Sequence, residues 1–282
     1  SSDGHLMFNT GLLPVRTGAT AVLYGDNRYP ALGHALKQKG YRTLNIVCDR
    51  AQDWNQVETS PAYGFDTLYD KSAFESSEIL DDSTMLARGL AILRQTPQPF
   101  FAQLVTISTH APNGEPVEPT ALSQYPTSSH ELINTMEAFH RLDRQLGQFI
   151  DSLQACGLYD RSVVAIVSDH DELGLNVLEG RTTRTLADRE VALLLLNTPY
   201  TVSYEAVAGQ IDIYPTLLDV MGCNEYPWKG LGYSLLRTPV KSAVYWDRSV
   251  VGDTLSPLVP RQREAWNISN LILTGHYFSK RE

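Results

Sequence analysis

Asp169 and His170 stand together directly after an apolar run, residues 162–168 (SVVAIVS). The run is rich in β-branched residues and has no internal Gly or Pro, so it reads as a fully buried parallel strand. A strand that ends in Asp-His sets a carboxylate and an imidazole at its carboxyl edge, where open α/β sheets bind ligands. Both groups ligate hard or borderline divalent cations, and adjacent positions let both meet one ion. The other reading is a polar strand end that caps the next segment. His110 closes a second apolar run, residues 100–108 (FFAQLVTIS). If the two strands run parallel, all three side chains leave one edge of the sheet. Two His and one Asp gathered there could hold a divalent cation and an anionic ester. A lone His at a strand end is otherwise a hydrogen-bonded structural group.

The elements that must position these residues follow from periodicity. Residues 42–48 (RTLNIVC) form a further strand candidate, preceded by an amphipathic helix over 29–39 that stops at Gly40, a residue suited to the left-handed cap. Residues 82–95 read as a helix ending before Pro97. The longest helix spans 131–155. Its apolar residues Leu132, Met136, Phe139, Leu142, Leu146, Phe149 and Leu153 step by three or four and predict one buried stripe. Residues 191–196 (VALLLL) predict another strand, and 212–221 a helix with Pro215 in its first turn. The β-α-β alternation predicts an α/β fold with a mostly parallel central sheet and helices on both faces. The tail differs: 243–251 and 271–278 read as strands with no long helix between them, a small C-terminal antiparallel β element. The expected division is a catalytic unit over 1–236 and a β unit over 237–282. Two long loops, 52–78 and 111–127, have the length of binding segments or lids.

Composition bounds the partners. The chain has 282 residues and a net charge of −9, which weighs against a broad nucleic-acid surface. A small anionic substrate stays compatible, because a bound cation supplies local positive charge. No apolar stretch approaches the roughly 20 residues of a membrane span. The opening Ser1-Ser2-Asp3-Gly4 lacks a Met, so the chain is expected to be part of a longer protein. Cys48, Cys156 and Cys223 are odd in number and far apart; Cys48 and Cys156 adjoin apolar runs and read as buried thiols.

Six stretches, in order, resemble the catalytic domain of the sulfatase / alkaline phosphatase superfamily, most closely its lipoteichoic-acid-synthase-like branch. Ser1-Ser2-Asp3-Gly4 resembles the nucleophile segment, and Gly11-Leu12-Leu13-Pro14 the turn after it. Tyr29-Pro30-Ala31-Leu32 through Gly40-Tyr41 resembles the next helix and strand start. Thr109-His110 resembles the substrate-facing His, and Ser168-Asp169-His170 the metal-binding motif. Residues 209–218 (GQIDIYPTLL) resemble a stretch found throughout the group. The likeness covers about residues 1–236.

The resemblance implies roles. Ser1 would be the nucleophile and a metal ligand, with Asp169 and His170 completing the metal shell. His110 would contact the phosphate or sulfate, and Trp54 would bind substrate; a rim residue packing on the fold is the other reading of Trp54. Mn²⁺, Mg²⁺ or Zn²⁺ suits such a mixed oxygen and nitrogen shell. A coordinated cation lowers the pKa of a serine hydroxyl and stabilises charge on the attacked group. The implied protein is an extracytoplasmic catalytic portion anchored in the cell membrane by segments outside this chain. It would act on an anionic ester or lipid head group such as phosphoglycerol or phosphoethanolamine. A sulfuric ester hydrolase of the same fold and an inactive envelope-binding relative are the competing readings.

The chain departs from the pattern in places. The acidic ligand expected on a strand before the nucleophile is not in this chain. Asp171 replaces the Gly after Asp-His, and Val47 and Gln56 fall near the places of an expected substrate His and Arg. The only approach to a formylglycine motif is Leu12-Leu13-Pro14-Val15-Arg16, and leucine cannot be oxidised to formylglycine. Among the remaining residues, Asp3 and Asp212 read as helix caps. His5 could face substrate, and His140 reads as structural. Arg181, Arg184 and Arg189 read as solvated, with one available to an anionic ester. Asp171 and Glu172 could support His170.

Overall fold

Strands β1 (Arg42–Val47), β2 (Thr67–Tyr69) and β3 (Phe100–Val105) form a parallel sheet in the order β2-β1-β3. The computed structural model describes residues 1–110, 122, 124, 129–171, 179–183, 185, 189–201 and 206–279. Alternation along the strands decides which helix packs where. Ile46 and Leu104 meet Met85 and Leu86 of a helix over Asp82–Gln95 on one face. Phe101 on the opposite face meets a different set. There it packs with Leu6 of helix α1 (Ser2–Thr10), with Leu32 and Leu36 of helix α3 (Leu32–Lys37), and with Tyr214. Between these helices lies the short α2 (Thr20–Leu23). Helices α4 (Gln56–Ala62), α5 (Asp82–Gln95) and α6 (His130–Ala155) complete the layers around the sheet. The α/β class with a parallel sheet covered on both faces is therefore present.

Residues 162–168 depart from expectation. Strand β4 (Val164–Val167) pairs antiparallel with β5 (Leu193–Leu196), and both are half-buried rather than fully buried. Among the described residues this pair is separate from the parallel sheet. It adjoins β3 through side chains: Val164 joins Phe100 and Ala102 around Leu93, Leu153 and Leu158. Pairing direction is not encoded in an apolar run, so four consecutive leucines served an antiparallel partner as well as a parallel one.

The tail needs a second correction. Residues 243–251 are two short strands, β6 (Ser242–Val244) and β7 (Val250–Gly252), paired as a hairpin. The small antiparallel element is thus present, but 271–274 end a helix of 16 residues. With helix α7 (Ile213–Val220) before it, this helix is α8 (Val259–Thr274), and Pro260 stands in its first turn. It is tied to the N-terminal region by Ser269 Oγ donating to Leu13 O (2.6 Å) and Asn27 Nδ2 donating to Leu273 O (3.0 Å).

In α6 the stripe also shifts. Leu132 and Leu153 are buried, but Phe139 is 46% exposed, and Glu137 is buried instead, accepting from Leu122 N–H (3.1 Å). The three cysteines are free thiols; Cys48 and Cys223 are buried and Cys156 is half-buried.

Candidate active site

Helix α1 sets one side of the site. Ser1 is its N-cap, and Ser1 O accepts the first helical bond from His5 N–H (3.2 Å). A helix N-terminus presents unsatisfied N–H groups and a positive dipole end, so it favours an anionic ligand. The helix stops at Gly11, whose φ of 66° is the left-handed cap conformation that a glycine adopts freely.

The end of β4 meets this helix. A Cβ at Gly4 would lie 2.2 Å from Asp169 O, so only glycine lets the first turn of α1 seat against the Asp169 backbone. That contact brings Ser1 and Asp169 together. The Ser1 backbone nitrogen is 3.9 Å from Asp169 Oδ2. Burial alone would push the Asp169 carboxyl up. The side-chain hydrogen bond from Ser1 and the charges of His170 and His5 outweigh burial and hold it below its ordinary value. The group is therefore a carboxylate at neutral pH.

His170 is fixed by its neighbours. Its backbone N–H donates to Asp169 Oδ1 (2.9 Å), and its ring Nδ1 lies 2.6 Å from Asp171 O. A carbonyl oxygen only accepts, so Nδ1 carries the proton in the neutral ring and Nε2 keeps its lone pair. Nε2 is 3.9 Å from Asp169 Oδ2. A carboxylate oxygen, an imidazole lone pair and a serine hydroxyl thus border one space, a donor set that fits a divalent cation. Among the described residues no third His, Cys, Asp or Glu joins them in one cluster.

Gln210 was missed in sequence as an individual residue, although the 209–218 stretch was recognised. Its Nε2 donates to both Ser168 O (3.0 Å) and Asp169 O (2.8 Å), clamping the strand end that carries the pair. Asp212 holds Gln210's turn. It stands at the N-cap of α7, but its side chain makes no cap bond. Instead it accepts from Gly209 N–H (2.8 Å) and Tyr233 N–H (2.7 Å). Burial raises its carboxyl to about 6, against these two hydrogen bonds. Asp3 likewise does not cap α1. It lies in the first turn and accepts from Thr20 N–H (3.4 Å) at the start of α2.

The other candidates fall at different distances from this centre. His5 is buried, rests on Phe8 (5.4 Å between ring centroids) and is driven down to about 4 by burial, so it backs the site as a neutral ring rather than facing solvent. His110 lies in the turn after β3, where its N–H donates to Ile107 O (2.8 Å), within electrostatic reach of Asp49. Its strand pairs with β1, and among the described residues no ladder joins it to β4, whose pairing is with β5. Trp54 is 45% exposed and has φ 53°, with Asn55 at φ 56° beside it. Asn55 Nδ2 donates to Ala21 O (2.8 Å), which joins the Trp54 turn to α2. Arg181 pairs with Glu179, Arg189 stacks over Tyr245 (4.6 Å), and His140 is exposed. Arg184 and Glu172 lie outside the described residues.

Fold and site together define a family. The sulfatase family matches residues 6–223, and the chain belongs to it. It is 26% identical over 254 residues to lipoteichoic acid synthase 1 of Bacillus subtilis, covering 83% of this chain and 39% of that protein. It is 25% identical to the lipoteichoic acid synthase of Staphylococcus saprophyticus over 84% of this chain and 39% of that one. The chain thus spans about two fifths of the length of these curated relatives. Among solved structures, lipoteichoic acid synthase LtaP from Listeria monocytogenes superposes with a TM-score of 0.78 at 22% identity, covering 97% of this chain and 80% of that one. The phosphoglycerol transferase GacH of Streptococcus pyogenes, in complex with sn-glycerol-1-phosphate, gives a TM-score of 0.63 at 14% identity, covering 99% and 75%. Both share the fold.

Proposed function

We propose that the chain is the catalytic part of a metal-dependent transferase that moves a phosphate-ester head group, of the phosphoglycerol or phosphoethanolamine kind, through a covalent intermediate on Ser1. The observation that carries this reading is the meeting of Ser1, Asp169 and His170 at the N-terminus of α1. Kinship with lipoteichoic acid synthases and the fold shared with a phosphoglycerol transferase support the substrate class.

Ser1, Asp169 and His170 would hold Mn²⁺, Mg²⁺ or Zn²⁺, which when bound supplies Lewis acidity to the serine oxygen and to the phosphoryl group. The protein's own groups do the rest. Asp169 orients the Ser1 hydroxyl through their hydrogen bond. Ser1 Oγ attacks phosphorus and gives its proton to solvent by way of the Asp169 carboxylate to which it is hydrogen-bonded; the P–O bond to the donor alcohol breaks, and that alcohol leaves with a proton for which His110 is the candidate donor. An acceptor hydroxyl, losing its proton to the now neutral His110, then attacks the phosphorus of the Ser1 adduct; the P–O bond to Ser1 breaks, Ser1 Oγ takes a proton back from solvent, and the new ester forms. The α1 N-terminus favours the anionic group throughout. Trp54 offers an exposed indole to the head group.

Formylglycine chemistry is disfavoured by position as well as by residue type: Leu12, at the corresponding place, is sealed in the core with Leu6 and Tyr29. A sulfatase of another kind is separated by substrate. The full-length protein with Mn²⁺ should turn over a phosphodiester analogue and leave p-nitrophenyl sulfate untouched; preference for the sulfate would reverse the assignment. Membrane attachment belongs to this reading through segments outside the chain; among the described residues no helix is long and apolar enough to cross a membrane.

A further inference from the structure

A row of carboxamides, buried but for the half-buried Gln103, crosses the sheet face on which α1 and α4 pack. Asn9 Nδ2 on α1 donates to Gln103 Oε1 on β3 (2.9 Å), and Gln103 Nε2 donates to Asn45 Oδ1 on β1 (3.1 Å). Asn45 Nδ2 then donates to Gln56 Oε1 (3.0 Å) and to Ser60 Oγ (2.8 Å), both on α4. Asn45 and Gln103 are register partners in the parallel pairing of β1 with β3. Asn9, Asn45, Gln56 and Ser60 are buried. Every link runs donor to acceptor in the same direction, so the row has one polarity, and reversing Gln103 or Asn45 breaks at least two links. Asn9 Oδ1, at the start of the row, has no hydrogen-bond partner among the described residues. An apolar set would fill this layer without leaving a buried acceptor unpaired, so the row is poorly explained as packing alone.

The ends of the row identify what it does. Asn9 lies two turns along α1 from Ser1, and a helix transmits position rigidly over that length. Gln56 directly follows Trp54 and Asn55, two consecutive non-glycine residues in the left-handed region, at φ 53° and 56°. Bulky residues hold that conformation only where surrounding structure over-determines it. Two anchors do so: Gln56 in the row on one side, and Asn55 Nδ2 on Ala21 O on the other, while α2 is itself tied to α1 through Asp3.

We propose that Asn45 and Gln103 are positioning residues: the carboxamide row locks the Trp54–Asn55 turn at a fixed offset from α1, so that the indole and Ser1 address the same head group. This rests on the reading of Ser1 as nucleophile and Trp54 as a head-group contact.

The test compares full-length wild type with Asn45→Leu and, should that variant fail to fold, with Gln56→Leu. The first readout is hydrogen exchange, which needs no turnover. The amides of Asn55 and Val57, bonded to Gln52 O and Ala51 O, should exchange at least about 10-fold faster, with the Met85 amide of α5 unchanged. The second readout is kinetic. KM for a phosphoglycerol donor should rise about 10-fold with kcat nearly unchanged, and adding Trp54→Ala to Asn45→Leu should raise KM no further, since both remove one shared contribution. Uniform loosening, or no loosening at the Trp54 turn, overturns the locking role. Multiplicative KM effects overturn the link between row and indole. A wild type with no turnover on any phosphodiester sinks the transferase reading instead, and exchange alone then decides the row.

Discussion

At the scale of single residues, the proposed centre depends on Ser1, Gly4 and the Asp169–His170 pair. Ser1→Ala in the full-length protein removes the nucleophile without removing a core group, so turnover should fall at least about 10³-fold while the circular dichroism spectrum and melting temperature hold. Retained turnover would move the nucleophile elsewhere. Gly4→Ala tests the seat of α1. The added methyl would stand 2.2 Å from Asp169 O, against backbone that cannot rotate away. The first turn and the Asp169 segment must separate, with a cost of about 1–3 kcal/mol for forced overpacking. Divalent-cation affinity, read by calorimetric titration, should weaken in parallel. A variant with wild-type stability and cation affinity would mean that this contact does not set the centre. The adjacent carboxylate and imidazole stood out as candidates because they end an apolar run; Gln210 did not, because a glutamine acting through two backbone carbonyls leaves no pattern of its own.

At the scale of elements, legibility followed how completely each element is constrained locally. The helix over Asp82–Gln95 was readable to its ends because Asp81 caps it, accepting from Thr84 N–H (2.9 Å), and Pro97 follows. Strands β1 and β3 were readable because apolar residues recur along both, Leu44, Ile46 and Val47 on one and Phe100, Phe101, Leu104 and Val105 on the other. Helix α8 was not. Its last turns read Leu271-Ile272-Leu273-Thr274, a short apolar run that periodicity cannot assign to strand or helix. Asn267, Ile268, Ser269 and Asn270 before it have low helix propensity. Tertiary bonds from Ser269 and to Leu273 decide the matter. The antiparallel pairing of β4 was hidden for a different reason: it depends on how the chain returns to β5, not on the residues of β4. Gln210→Leu probes this level. Losing the clamp on Ser168 and Asp169 should weaken metal affinity by about 10–100-fold, as loss of groups supporting a ligand does, with a smaller change in melting temperature. Equal losses of both would make Gln210 a stability residue only.

At the scale of the whole molecule, Asp212 links the segment before α7 to the chain at Tyr233, and it does so with a carboxyl raised from 3.8 to about 6 by burial. The sign follows from linkage. Between these values the folded state binds the proton and the unfolded state has lost it. The contribution to stability is therefore complete below about pH 4 and is lost as pH rises through about 6. A shift of this size corresponds to about 3 kcal/mol. Asp212→Asn cannot ionise, so the stability of wild type minus variant should fall by up to that amount across this window and stay flat above it. A flat difference from pH 4 to 7 would refute the buried acid. Cation removal acts on the same scale. A chelator should lower the melting temperature of the wild type, and added Mn²⁺ should restore it, because a ligand bound only by the folded state stabilises it by mass action. Asp169→Ala should abolish the difference between chelated and metal-loaded protein.

The central claim is that Ser1 carries the transferred group at a centre shared with Asp169 and His170. The most direct measurement is peptide mass spectrometry of the full-length protein, acid-quenched during turnover of a phosphoglycerol donor with Mn²⁺. A phosphoglycerol adduct on Ser1 is expected, absent from Ser1→Ala and from Asp169→Ala. An adduct on Ser2 or any other residue, or steady turnover with no adduct under any quench, would contradict it.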